Sequence, residues 1–207
     1  MKVISFSGQL QNGKDTAADY LVTKMPGWIR ASFAAQVKKI YCDAFGVDLD
    51  FIEKWKVKSE IPPGFLKPVR QSLQFIGDGF RQIQEQVWIE TCFRNNADKS
   101  VIISDGRYIN ELIKVRHVGG INVLVWRPGF ENDDPNGSEA QIRPVIDQFK
   151  AMDFEGVVPR HWGVFRDCDV YGVEYVDYLL KNDGTMEDLY RKIDAQLVPF
   201  LEGKFNE

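Results

Sequence analysis

The stretch that constrains this chain most is GQLQNGKDT, residues 8–16, because it joins two segments of different periodicity. Ahead of it, Val3 to Phe6 is a short apolar run that reads as a buried strand. Behind it, from Lys14 to Lys24, Ala17, Ala18, Leu21 and Val22 recur at helical spacing until Pro26-Gly27 ends the run. A glycine-rich turn between a strand and a helix start lets successive backbone N–H groups converge on an anion, with the helix N-terminus aimed at the same point. Gly8 and Gly13 let the main chain close around phosphate oxygens, Asn12 lies within the turn, and Lys14 adds a full positive charge. The bland alternative is a tight turn that carries a lysine; strand and helix in the required places favour nucleotide phosphate. On either reading the Lys14 side chain is expected to be exposed in the unliganded loop. Asp15 occupies the position where Ser or Thr is usual, and two roles stay open for it: holding Mg²⁺ through water, or capping the start of the helix.

A chain of 207 residues with 44% hydrophobic content suffices for one well-buried core and a small mobile subdomain. Its net charge of -4 argues against a broad basic surface, so stable nucleic-acid binding is not expected. Cys42, Cys92 and Cys168 are far apart and lack metal-ligand spacing, so they read as reduced thiols, with neither disulfide nor zinc. No apolar run approaches a membrane span, and VISFS is too short for the apolar core of a signal peptide. A cytoplasmic protein is the expectation, as a monomer or a homodimer.

The rest of the chain alternates strands and helices in the order of a parallel α/β sheet. Ser32 to Phe45 reads as a second helix and DLDFIEKWKVKSE as a third, followed by the proline-rich break IPPGFLKP. VRQSLQFIGDGFRQIQEQVWIETCF is helical on both sides of Gly77-Asp78-Gly79, where two helices are expected to meet at a bend. VIISD, Val101 to Asp105, is the clearest interior strand; Ile109 to Val118 is a helix ended by Gly119-Gly120, and Ile121 to Trp126 is another strand. RPGFENDDPNGSE suits an exposed loop, and the less regular stretch on to Tyr171 groups with the same flap or a small insertion. VDYLLKN is a last strand, Asp183-Gly184 a turn, and the helix that follows has Thr185 and Asp188 at capping-box spacing.

Asp105 ends its strand beside the phosphate loop, where a Mg²⁺-organising carboxylate is needed; the plainer alternative is an Asp that caps the next turn. Asp15, Thr16 and Asp105 form the candidate metal set. Arg107 could clamp a phosphate, with Asn110 and Glu111 at helical spacing to position it. Arg70, Gln74 and Arg81 lie four and seven residues apart, which an unbroken helix would place along one face. Arginine makes bidentate phosphate contacts, Gln74 could read a base edge, and Phe33, Phe75 and Trp88 could stack on a base. Each also has the ordinary reading of a solvated polar face over core aromatics. Arg127, Ser138, Glu139 and Arg143 flank or occupy the irregular segment, and Arg127 is the preferred arginine for delivery to a transferred phosphoryl by a closing lid. His117 and His161 have neither triad nor metal-ligand company. That suits phosphoryl transfer, where positioning and charge shielding do most of the chemistry.

Taken in order, GKDTAADYL, SFAAQVK, RQSLQFIGDGFR, VIISDGRYINEL, GGINVLVWRPG, SEAQI and LLKNDGTMEDLYRKI resemble the deoxynucleoside monophosphate kinases of tailed phages. The resemblance covers most of the chain and weakens around residues 49–65 and 143–171. It implies an α/β fold of the P-loop nucleoside-monophosphate-kinase type, a three-layer α/β/α core with a central parallel sheet at about residues 1–31, 98–127 and 170–207. A helical monophosphate-binding region at about 32–97 and a mobile lid at about 128–169 complete that expectation. It also implies transfer of the ATP γ-phosphoryl, with Mg²⁺, to a deoxynucleoside 5′-monophosphate. By position, Gly8 to Thr16 would hold the ATP phosphates, with Thr16 in the place of the threonine in the GKGT of adenylate-kinase-like enzymes. Ser32, Phe33, Arg70, Gln74 and Arg81 would line the monophosphate pocket, and Asp105 and Arg107 would sit between the two nucleotides. Similar enzymes usually have Val where this chain has Gly106. The alternatives are a kinase for another acceptor, such as a modified base in DNA or a coenzyme precursor, and a non-catalytic nucleotide-binding switch. The arginines and the lid-like segment favour an enzyme.

Overall fold

The computed structural model describes residues 1–130, 140–159 and 172–205. Its strands are β1 (Val3–Ser7), β2 (Trp28–Ala31), β3 (Ser100–Gly106), β4 (Ile121–Trp126), β5 (Gly156–Val157) and β6 (Tyr178–Lys181). Its helices are α1 (Lys14–Lys24), α2 (Ala35–Phe45), α3 (Leu49–Lys56), α4 (Val69–Ile83), α5 (Val87–Asn95), α6 (Ile109–His117), α7 (Ile142–Met152), α8 (Met186–Lys192) and α9 (Val198–Phe205). The strands form one sheet in the order β2-β3-β1-β4-β6-β5, parallel throughout except for β5, which runs antiparallel along β6.

The continuous apolar runs of β1 and β4 are buried on both faces, as strands covered by helices on either side must be. Their side chains alternate. Ile4, Phe6, Val123, Val125, Tyr178 and Leu180 pack against Ala17, Ala18 and Leu21 of α1 and Leu189 and Leu201 of α8 and α9. Leu124, Trp126 and Leu179 pack with Leu112 of α6 and with Ile142, Val145, Ile146 and Phe149 of α7. The result is a three-layer α/β/α arrangement around a mostly parallel sheet, as expected. Each fully buried Leu or Ile contributes about 2 kcal/mol, so these two apolar layers dominate what holds the sheet together.

Contacts divide the chain into two compact units, Met1–Ala31 with Asn96–Glu207, and Ser32–Asn95. The first contains the whole sheet. Its far end returns to its start: Lys2 Nζ donates to the Phe205 carbonyl at 2.7 Å, and the rings of Trp28 and Phe205 lie 5.1 Å apart. The second is helical, α2 to α5, around the buried trio Tyr41, Ile52 and Val69, with Phe51, Trp55 and Phe65 against them. Asp48 caps α3 by accepting from Phe51 N at 2.8 Å, and Gly46 ends α2 in the left-handed conformation.

Two expectations are corrected. No bend occurs at Gly77-Asp78-Gly79: α4 runs through it, and the break falls at Gln84–Gln86 instead. An interior glycine costs a helix only about 1 kcal/mol, and Gly77 sits where Trp88 Nε1 reaches its carbonyl at 2.9 Å. Residues 142–157 are not part of a flap, because α7 buries four side chains in the core and β5 pairs with β6. The edge strand β2 was not anticipated. The rest of the expected lid, 131–139 and 160–171, with Ser138, Glu139, His161 and Cys168, lies outside the described residues. Among the described residues no helix is long and apolar enough to cross a membrane.

Candidate active site

β1 ends at Ser7, and the chain then makes its glycine-rich turn into α1. Gly8 has φ 143°, and a Cβ there would collide with the Val125 carbonyl of β4. Gly13 has φ 92°, precedes the first helical residue, and leaves no room for a Cβ beside the Asn182 amide. Both glycines are therefore fixed by backbone conformation and close approach. Asn12 is buried in the turn, its amide donating to Val125 O at 3.3 Å while its carbonyl accepts from Asn182 Nδ2 at 3.0 Å. The loop is thus tied to the carboxyl ends of β4 and β6.

Lys14 departs from expectation. Its side chain is only 6% exposed, and its ammonium donates to the Gln9 carbonyl at 2.5 Å, folded back over its own loop. Asp15 lies in the first turn of α1 but does not cap it. Gly13, without a side-chain bond, is the cap residue, and Asp15 Oδ1 accepts from Ser104 Oγ at 2.5 Å and faces Arg30 Nη2 at 3.2 Å.

The neighbouring strand β3 carries an irregularity at the point where chemistry is expected. Ser5 pairs with Ile103 but Ser7 with Gly106, so β3 has one extra residue at Ser104–Asp105. A bulge of this kind re-aims side chains at a sheet end. Gly106 then passes so close to β1 that a Cβ would stand 2.5 Å from Ser7 Oγ and 3.2 Å from the Phe6 carbonyl. A side chain at position 106 would therefore require Ser7 and the β1 backbone to shift. Beyond it, Glu111 accepts from the backbone N of Arg107 at 2.7 Å and of Tyr108 at 3.0 Å, which fixes the turn that presents Arg107.

The far wall comes from β4 and β6. Arg127 follows β4 and lies over the Phe130 ring at 4.7 Å. The turn after β6 is held by Lys192, whose ammonium donates to Glu155 at 2.9 and 3.0 Å, to Asp183 Oδ1 at 2.8 Å and to the Lys181 carbonyl at 2.9 Å. Burial alone would lower the Lys192 pKa, but Asp183 and Glu155 outweigh it and hold the group above its ordinary value. Lys192 in turn holds the Asp183 carboxyl below the usual carboxylate range. Thr185 and Asp188 form the expected capping box, so α8 begins directly behind this turn.

These ends enclose one cleft of about 370 Å³, lined by Gly13, Lys14, Asp15, Thr16, Asp105, Arg107 and Arg127, and also by Leu10, Gln11, Ser104, Asn182, Gly184, Met186 and Leu189. That volume suits a small ligand. Three cationic side chains face two carboxylates and two hydroxyls at the carboxyl edge of a parallel sheet. Gly13 to Thr16, Asp105, Arg107 and Arg127 are therefore brought together, whereas Gly8 and Asn12 do not line the cleft. Ser104 and Asn182 lie inside the quoted stretches VIISDGRYINEL and LLKNDGTMEDLYRKI but were given no role there, and Arg30 belongs to no motif; the strand pairing places them.

The remaining candidates belong to the helical unit. Because α4 is continuous, Arg70, Gln74 and Arg81 do share one face; Arg81 is paired with Asp78 at 3.2 Å. Ser32 Oγ accepts from Ala34 N at 3.1 Å in the turn before α2. Phe33 and Trp88 are each 3% exposed, Phe33 against Phe93 and Trp88 against Phe80, so both rings serve as core. Phe75 is 77% exposed.

No family model matches the chain. It is 29% identical over 163 residues, 70% of this chain and 84% of the other, to a candidate deoxynucleotide monophosphate kinase of Acanthamoeba polyphaga mimivirus. Among solved structures it is similar to dephospho-CoA kinase from Campylobacter jejuni, at TM-score 0.45 and 12% identity over 100% of this chain and 99% of that one. An unliganded sugar kinase from a Janibacter species gives 0.36 and 13% over 95% and 94%. Superposition at that level carries no assignment.

Proposed function

We propose that this chain is a kinase that transfers the γ-phosphoryl of ATP to a deoxynucleoside 5′-monophosphate. The observation that carries the reading is the single cleft in which Lys14, the loop amides, Asp105, Arg107 and Arg127 meet. The mimivirus relative supports the acceptor class. Lys14 would leave the Gln9 carbonyl and, with the amides of Gly8 to Thr16, hold the β- and γ-phosphates. Arg107 and Arg127 would offset charge on the transferred group, and Arg70, Gln74 and Arg81, along one face of α4, would receive the monophosphate, together with Ser32. Phe75 replaces Phe33 and Trp88 as the aromatic available for a base.

An oxygen of the acceptor phosphate attacks the γ-phosphorus, the bond to the β–γ bridging oxygen breaks, and ADP leaves with that electron pair. The attacking oxygen is already anionic, so no side chain has to remove a proton. The oxygen donors Asp15, Asp105, Thr16 and Ser104 fit Mg²⁺, which takes one or two carboxylates and draws its other ligands from phosphate and water. Among the described residues no group of three or more His, Cys, Asp or Glu could hold a metal by itself. Asp105, Asp15 and Thr16 would hold the ion, and when bound it neutralises phosphate charge.

The test is a panel of nucleoside monophosphates with γ-labelled ATP, read by chromatography. Label is expected in deoxynucleoside diphosphates, first those of thymidine and deoxyguanosine, and none in duplex DNA. Label in polymer with every free monophosphate untouched would overturn the acceptor class in favour of a DNA-directed kinase; ATP turnover with neither would favour another acceptor.

A further inference from the structure

The phosphate loop carries a carboxylate where a hydroxyl is usual, and a negative charge lining the same cleft as Lys14 opposes binding of a polyanion. The structure contains a counterweight. Arg30, the third residue of β2, extends across the end of β3: Nη2 donates to Ser104 Oγ at 2.5 Å, Ser104 Oγ donates to Asp15 Oδ1 at 2.5 Å, and Nη2 itself stands 3.2 Å from the same carboxylate oxygen. Nε pairs with Asp19 at 2.8 Å, one helical turn along α1. The Arg30 side chain is 30% exposed and that of Asp15 80%, so the carboxylate stands open to solvent and the pairing is sensitive to salt. Asp19 does not line the cleft, whereas Asp15 and Ser104 do.

We propose that Arg30 is a positioning residue that makes an aspartate tolerable in this phosphate loop, neutralising Asp15 and fixing one of its oxygens through Ser104 so that a nucleoside triphosphate is not repelled. The idea rests on the nucleotide-binding reading above. A purely architectural role, tying α1 to β2, is the competing account, and the two differ in what they predict for ligand binding. An architectural bond lost by mutation changes stability and leaves affinity insensitive to Asp15. A charge-compensating one couples Arg30 to Asp15 and weakens with salt.

The experiment measures the dissociation constant of a fluorescent ATP analogue without metal, at low and high ionic strength. The proteins are wild type, Arg30→Met, Arg30→Lys, Asp15→Asn and the double variant Arg30→Met/Asp15→Asn. Arg30→Met is expected to weaken binding roughly three- to fivefold at low salt and much less at high salt, and Arg30→Lys to recover part of the loss. In the Asp15→Asn background the same removal of Arg30 is expected to cost less than about twofold. An equal loss in both backgrounds, or a loss indifferent to salt, overturns the proposal. Should Arg30→Met fail to fold, Arg30→Gln, which also removes the charge, provides the same cycle against Asp15→Asn. Wild type that binds no ATP analogue overturns the underlying reading as well; wild type that binds, with Arg30→Met equally tight, overturns this inference alone.

Discussion

At the scale of single residues, Lys14 and Asp105 give the sharpest expectations. Lys14→Met keeps the apolar stem in its buried slot and loses one hydrogen bond to Gln9 O, so stability should fall by about 1 kcal/mol. Turnover should fall by roughly 100- to 1000-fold, since a charge placed against the transferring group is gone. Denaturant melts and steady-state rates check the two numbers, and near-wild-type turnover would remove the lysine from the phosphate loop. Asp105→Asn preserves size and removes charge; a higher Mg²⁺ concentration at half-maximal rate and a drop of about tenfold are expected. An unaltered magnesium titration would leave Asp105 as a turn residue. What the sequence made legible at this scale was the motif-bearing set. The exposure of Lys14 was misjudged because the turn supplies its own acceptor, and Arg30 and Ser104 stayed invisible because their meeting depends on β2 lying beside β3.

At the scale of elements, legibility followed the strength of the pattern. Strands β1, β3, β4 and β6 are largely buried and helices α1, α6 and α8 are long or capped, and their outlines agree with the chain's periodicity. The four-residue β2 is an edge strand with no fully buried side chain, so it lacks an apolar signature. The positions Ile142, Val145, Ile146 and Phe149 of α7 do have helical spacing, but loop-forming stretches on both sides obscured them. In α4 two glycines drew a bend that the structure does not have. Gly79 is exposed, helical and has nothing within 4 Å of where a Cβ would stand, whereas at Gly77 that Cβ would be 3.3 Å from Arg81 Nη1. Gly79→Ala should therefore stabilise the protein by about 0.5–1 kcal/mol, and Gly77→Ala by less. Thermal melts of the pair decide it: destabilisation by Gly79→Ala would mean the helix is broken there after all.

For the molecule as a whole, one buried phenol sets a limit on the alkaline side. Burial, helped by the Glu155 charge, pushes Tyr178 up to about 12, from an ordinary value of 10.0. The folded chain keeps that proton where the unfolded chain has lost it, so the contribution is complete below pH 10 and disappears between 10 and 12. It amounts to something on the order of 2 kcal/mol. Tyr178→Phe should give up the bond to Gln196 at 3.2 Å and flatten that part of the stability curve, as denaturant titrations at stepped pH would reveal. A slope that persists in the variant would assign it to other groups. The contact between Lys2 and the Phe205 carbonyl has a different kind of consequence: it brings the segments at residues 2 and 205 within reach of a short linker. A few glycines from residue 205 to residue 1 would join them, and fresh ends could be opened at Gly64, which is exposed and has open space around it. Such a circular permutant should melt cooperatively and keep its phosphoryl-transfer rate, which would establish that the order in which this backbone is connected matters less than which segments lie side by side.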